Sequence, residues 1–118
     1  MTLDSFNLNE GCAMDIGLST SLYSVDRDVT SSVQFYICDK EDKRVRLRVD
    51  NSYISPVLVD SYDSKSGTNY SNRKRDVFCF VPKSGRYYLR AIFTVVHKSS
   101  PFYVGRASIT LESFTIQD

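Results

Sequence analysis

An all-β domain, built as an antiparallel two-sheet β-sandwich, is the fold class that this sequence predicts, and three observations predict it. The first is the residue palette. The chain carries 12 Val, 8 Tyr, 7 Phe and 7 Thr against 3 Ala and 3 Glu, and β-branched and aromatic side chains fit a pleated surface while losing rotamer freedom in a helix. The second is alternation of apolar and polar residues with a period of two. The third is punctuation: clusters of Gly, Pro, Ser and charged residues recur between the apolar runs, at a spacing that favours a sandwich over a small closed barrel. At 118 residues, without a linker or an internal repeat, residues 1–118 make one domain with one core.

The first thirty residues are phased most weakly. Leu3, Phe6 and Leu8, then Met14, Ile16 and Leu18, then Leu22, Val25 and Val29 give two or three short strands, with turns at Glu10–Gly11 and near Asp26. A short helix over Leu18–Val25 is the alternative there. In VQFYIC, Val33, Phe35 and Ile37 share one face, and DKEDK follows as a charged turn. In RVRLRV the apolar set is Val45, Leu47 and Val49, with Arg44, Arg46 and Arg48 opposite, which makes a half-buried strand. YISPVLV contains Pro56, which cannot donate to a ladder and marks an edge strand, a bulge or two short pieces.

Asp60 to Asp76 offers polar, Gly and Tyr residues and reads as a long exposed loop. DVFCFV is apolar on both faces, as a central strand is, and ends at the PKSG turn. RYYLRAIFTVV, residues 86–96, is the longest strand candidate, with Tyr87, Leu89, Ala91, Phe93 and Val95 on one face and a mixed set on the other, as expected near a sheet edge or an interface. After the HKSSPF turn, RASITLESFTIQD carries Ala107, Ile109 and Leu111 out of phase with Phe114 and Ile116. That slip places a bulge or bend near Glu112. Seven to nine strands result.

Charge and cysteine usage narrow the function. The net charge is +1, so any attraction for a polyanion has to be local. MTLDSFNLNEG has neither the basic nor the apolar region of a leader, and no run of 18 apolar residues occurs. The expectation is a protein made in the cytoplasm, with a virion as its further location and no membrane contact. Cys12, Cys38 and Cys79 are odd in number and widely spaced, which suits buried reduced thiols rather than disulfides.

No reaction is named by any motif. One His, His97, and three scattered Cys do not make a zinc site. Asp26 with Asp28, or Asp60 with Asp63, could offer oxygen pairs to calcium, but turn carboxylates in water are the simpler reading. His97 is the sole imidazole available as a base for 17 serines, and the five glycines are isolated, so no phosphate-cradling loop is present. The expectation is a non-catalytic protein without cofactor or metal.

Binding is the better expectation. The segment Asp60–Arg75 is rich in Tyr, Ser, Asn and Gly, the composition of adaptable binding loops, with Tyr62 and Tyr70 as anchors. Arg44, Arg46 and Arg48 could grip nucleic acid, but they have no interleaved aromatic residue in the sequence and have Asp39, Glu41 and Asp42 close by, so a solvated face or a guarded sheet edge is favoured. Arg73, Lys74 and Arg75 form a second cluster, which would matter if it met the first.

The stretch DVFCFVPKSGRYYLRAIFTVV carries a resemblance. Phe78, Phe80, Val81-Pro82, Gly85 and Tyr87-Tyr88 resemble the strand, V-P-x-x-G turn and strand of jelly-roll modules: carbohydrate-binding domains, tumour-necrosis-factor-like heads and small β domains of phage capsids and tails. The resemblance implies a jelly-roll-like sandwich. It also implies a structural or attachment module of a phage or virus particle, working by protein–protein contact and self-association, with Tyr88, Ile92, Phe102 and Tyr103 on a partly exposed face. Carbohydrate binding through Tyr62, Tyr70 or Tyr103 is the alternative, and nucleic-acid binding through Arg44, Arg46 and Arg48 the third reading.

Overall fold

The structure is a computed structural model. It describes residues 2–24, 29–64, 69–97 and 105–117, excepting the side chains of 23–24, 29–30, 62–64, 69–72, 95–97, 105–108, 110–112 and 117. Among the described residues nine strands form: β1 (Thr2–Leu8), β2 (Ala13–Ser24), β3 (Val29–Cys38), β4 (Leu47–Val49), β5 (Ser52–Ile54), β6 (Val57–Ser64), β7 (Asn69–Phe80), β8 (Gly85–His97) and β9 (Gly105–Gln117). They make a four-stranded sheet in the order β1-β8-β3-β6 and a five-stranded sheet in the order β5-β4-β7-β2-β9. All pairings are antiparallel.

The pairing is nested. β4 pairs with β5, β3 with β6, β2 with β7 and β1 with β8, and successive pairs fall in alternate sheets. A long hairpin rolled up so that its pairs alternate between two layers is the jelly roll. β9 adds one strand beside β2.

The core is what the alternation supplies. Met14, Ile16, Leu18 and Leu22 of β2 meet Val33, Phe35 and Ile37 of β3, Val77 and Cys79 of β7, and Leu89 and Ala91 of β8 in one buried cluster. Phe6 of β1 stacks on Phe114 of β9, with ring centroids 4.2 Å apart, and so joins the two sheets. All three thiols are free and buried. Burial first, and the neighbouring Cys12 second, push Cys79 up to about 12.

The slip in the last strand is a bulge. Gly17 pairs with Ser113 and Leu18 with Leu111, so Glu112 is the extra residue. The bulge brings Ile109 and Phe114, which the sequence puts out of phase, against the same core. A Cβ on Gly17 would meet the Ser113 hydroxyl, which would have to turn aside.

Two expectations change. Residues 60–76 are not a long exposed loop: β6 and β7 run through the segment as far as Ser64 and from Asn69, with β3 and β2 supplying the ladder bonds. Residues 18–24 are strand, in keeping with the reading of short strands there, and the alternative helix does not form. β8, whose mixed face suggests a sheet margin, lies between β1 and β3. Around Pro56 the chain does split into two short pieces, β5 and β6, which enter different sheets.

Asp60 illustrates the first correction. It is 2% exposed and Thr20 is 1% exposed, and the Thr20 hydroxyl on the opposite sheet donates to Asp60 Oδ2 at 3.0 Å. Asp60 is therefore a buried tie between the sheets, not a solvated turn carboxylate. Asp26 and Asp28 lie outside the described residues, as does the Asp63 side chain. No helix among the described residues is long and apolar enough to cross a membrane.

Candidate interaction site

The turns β1–β2, β3–β4 and β7–β8 come together at one end of the sandwich, and they are tightly bonded. The Gly11 N–H donates to the Val81 carbonyl at 2.8 Å and the Val81 N–H to the Cys12 carbonyl at 2.9 Å. The Glu10 N–H donates to Ser84 Oγ at 2.8 Å. In the DKEDK turn, Asp39 Oδ1 accepts from the N–H groups of Glu41 and Lys43 at 2.8 and 2.9 Å, and Asp42 adopts the left-handed conformation, φ 63°, which short polar residues tolerate. The buried Tyr87 donates its hydroxyl to the Lys83 carbonyl, and burial raises its pKa.

From that turn the chain crosses between sheets. Arg44 bridges to Cys38, and β4 begins at Leu47. The inward set Val45 and Leu47 is buried, while Arg44 and Arg46 are exposed and Arg48 is half-buried. β4 is second from the edge of its sheet, with β5 outside it, so Arg48 covers a sheet face rather than guards an edge, while Arg44 and Arg46 lie on the crossing between the sheets.

Each of the three guanidinium groups lies over an aromatic ring. Arg44 sits 4.3 Å from the centroid of Tyr36, Arg46 4.7 Å from that of Tyr53, and Arg48 4.2 Å from that of Phe78. Cation–π contact holds the guanidinium plane and leaves its N–H edges facing outward. The described residues provide none of these three groups with a hydrogen bond or an ion pair. The nearby carboxylates do not serve as their counter-charges: Asp39 Oδ1 is engaged in its own turn, and Asp42 pairs with Arg90 at 3.3 Å. Arg90 lies over the Tyr88 ring at 5.2 Å. A hydrogen bond with Tyr36, followed by the charge of Cys38, raises the Arg90 pKa.

The rings belong to other strands, Tyr36 to β3, Tyr53 to β5 and Phe78 to β7, which is why the sequence shows no aromatic among the arginines. Arg48 pairs directly with Tyr53 of β5 and with Phe78 of β7, so the three side chains form a row across three strands. Phe80 lies against Phe78 edge-on, centroids 4.9 Å apart. Tyr53 is 51% exposed and Phe80 55%.

Beside this strip lies a groove of two adjoining hollows, about 540 and 260 Å³, sharing Asp39, Lys83 and Tyr87 in their walls. Val45, Tyr53, Phe80, Pro82 and Tyr87 give the larger hollow its apolar surface, and Lys43, Arg44, Arg46 and Lys83 its charge. The smaller hollow adds Lys40, Arg86 and Glu41. Six cations and two carboxylates therefore line the groove, whereas the whole chain has a net charge of +1. The positive charge is local.

The other candidates from the sequence do not join this site. No described bulge interrupts the β2–β7 register, so alternation puts Lys74 on the strand face of Phe78 and sends Arg73 and Arg75 to the opposite one. The second basic cluster is thus divided, about four residues or ~13 Å along β7 from Phe78. Tyr62 and Tyr70 lie on β6 and β7, paired with Ser31 and Tyr23, their side chains outside the described set. Phe102 and Tyr103 lie outside the described residues; Tyr88 and Ile92 are half-buried on β8. Among the described residues no group of three His, Cys, Asp or Glu could hold a metal ion. Tyr36, Tyr53, Phe80 and Lys83 were not legible as site members, because strand register and turn packing bring them to the arginines. No protein-family model, curated protein or solved structure matches the chain.

Proposed function

We propose that this chain is a non-catalytic structural or attachment module, of the kind found in phage and virus particles, that works by protein–protein contact. The observation that carries the reading is the strip Tyr53, Arg48, Phe78 and Phe80 on the outer face of the five-stranded sheet, in which two large aromatic side chains stand half in water beside arginines already fixed in place. Aromatic residues and Arg are the types enriched at interface centres, and holding them rigid before contact reduces the ordering cost of association. Jelly rolls serve as capsid and lectin domains alike, so the fold does not choose between these roles and the surface has to.

The test is mass by light scattering over a wide concentration range, for the wild type and for Tyr53→Ser combined with Phe80→Ser. A closed oligomer that becomes a monomer in the double variant supports the reading. A wild type that stays monomeric throughout, with a variant indistinguishable from it, defeats it.

One observation favours a second reading, single-stranded nucleic acid: the aromatics missing between the arginines in sequence are supplied in space by Tyr53 and Phe78 of this sheet and by Tyr36 of β3. Affinity for an oligonucleotide that drops steeply with salt would support it, and binding insensitive to salt would remove it. The glycan reading rests on Tyr62, Tyr70 and Tyr103, none of which the site includes.

A further inference from the structure

We infer that the groove between the β3–β4 and β7–β8 turns receives an acidic peptide segment of a partner protein, one in which carboxylates alternate with large apolar side chains. This rests on the reading of the chain as a protein-contact module and adds the chemistry of what it holds.

Three features select that occupant. The groove's charge is complementary to an anion, with six cations against two carboxylates, and one oxygen of Asp39 is already bonded within its turn. The Arg44 and Arg46 guanidinium groups are fixed over rings with N–H edges that the described residues leave unused, and a planar fork of that kind matches a carboxylate with two parallel hydrogen bonds. The larger hollow, about 540 Å³, is walled by Val45, Tyr53, Phe80, Pro82 and Tyr87, which calls for apolar side chains rather than for charge alone. A peptide strand offers both chemistries in alternation along its length.

An unbroken phosphate chain fits less well. One face of each of Tyr36 and Tyr53 is already taken by an arginine, which leaves fewer ring faces for stacked bases. The exposed carboxylates of Glu41, Asp42 and Asp50 fringe the basic residues and would repel a continuous polyanion passing over them. Each wall of the groove is bonded in its own right: the β7–β8 turn to the β1–β2 turn, and the β3–β4 turn within itself through Asp39.

The experiment is fluorescence anisotropy with the full chain and three labelled probes: a peptide of alternating Glu and Phe, the same peptide with Gln for Glu, and oligothymidylate. The acidic peptide should bind about tenfold more tightly than its neutral counterpart, and more tightly than oligothymidylate. Lys43→Glu and Lys83→Glu, neither of which belongs to the aromatic strip, should each weaken it about fivefold or more, while Lys74→Glu on β7 should not. Equal affinity for the neutral peptide overturns the inference, as does failure of the wild type to bind the acidic one. Tighter binding of oligothymidylate assigns the groove to nucleic acid instead. Self-association that survives in Lys83→Glu while peptide binding is lost separates this site from the strip, and the loss of one reading leaves the other standing.

Discussion

Replacing Thr20 by Val keeps the shape of a side chain at the centre of the sandwich and removes one oxygen from it. That oxygen donates to Asp60 Oδ2 at 3.0 Å and lies 3.3 Å from the Arg73 carbonyl, so one hydroxyl ties β2 to β6 of the facing sheet and to its own neighbour β7. Both Thr20 and Asp60 are almost without water contact. A hydrogen bond to a charged group contributes about 1.5–3 kcal/mol, and leaving a buried acceptor short of a partner costs a similar amount. The methyl that replaces the hydroxyl returns under about 1 kcal/mol. Thr20→Val should therefore lose about 1–3 kcal/mol, a sizeable part of the ~5–15 kcal/mol that holds an ordinary domain together. Thr20→Ser keeps the donor and loses a methyl, roughly 1 kcal/mol. The assay is urea denaturation followed by circular dichroism, with the slope unchanged because the same surface is exposed on unfolding; in thermal melts each kcal/mol corresponds to about 3–6 °C. A Thr20→Val protein as stable as the wild type, or more stable than Thr20→Ser, would refute the reasoning.

Alkaline pH should weaken the fold through Cys79. Its thiol is raised from 9.0 to about 12 by burial and then by Cys12; the unfolded chain releases this proton near pH 9 and the folded chain does not, so stability is full below about pH 9 and falls by about 1.4 kcal/mol per unit as pH rises toward about 12. Burial raises Cys38 and Tyr87 in the same direction, so Cys79→Val should flatten the decline in urea midpoint only in part; an unchanged slope would count against the assignment. At the bulge, Gly17→Ala should cost about 1 kcal/mol by driving Ser113 from its place, and Ser113→Gly added to it should recover part of that loss. Additive losses in the double variant would mean that the two residues do not compete for the same space.

What could be read from the chain divides by how local the cause is. Val33, Phe35 and Ile37, or Tyr87, Leu89 and Ala91, announce their buried face by alternation, and all six are buried. The Glu112 bulge was legible for the same reason, since a slip in a period of two has one geometric meaning. Pro56 likewise forced a break. Residues 60–76 read as loop in the sequence because polar Ser, Asn and Tyr residues become strand only when neighbours supply the ladder, and those neighbours share no local signal with them: β3 lies about thirty residues away in register, as Ser32 with Ser61, and β2 about fifty, as Ser21 with Asn72. The site failed in the same way. The arginines were visible and their exposure followed from alternation, but Tyr53 and Phe78 reach Arg48 through the register of β5 and β7, and Lys83 reaches the groove through a turn.

The nested pairing also predicts an order of assembly. The innermost connection, between β4 and β5, is two residues long, and once it is closed the next pair has only a short span left to bridge, then the next, out to β1 and β8. Loop-closure entropy grows with the length still free, so a chain that zips outward from residues 50–51 meets a succession of small barriers where a direct search for the β1–β8 contact, about eighty residues apart in register, meets one large barrier. The outermost pair, β1 with β8, is thereby expected to close after the inner ones.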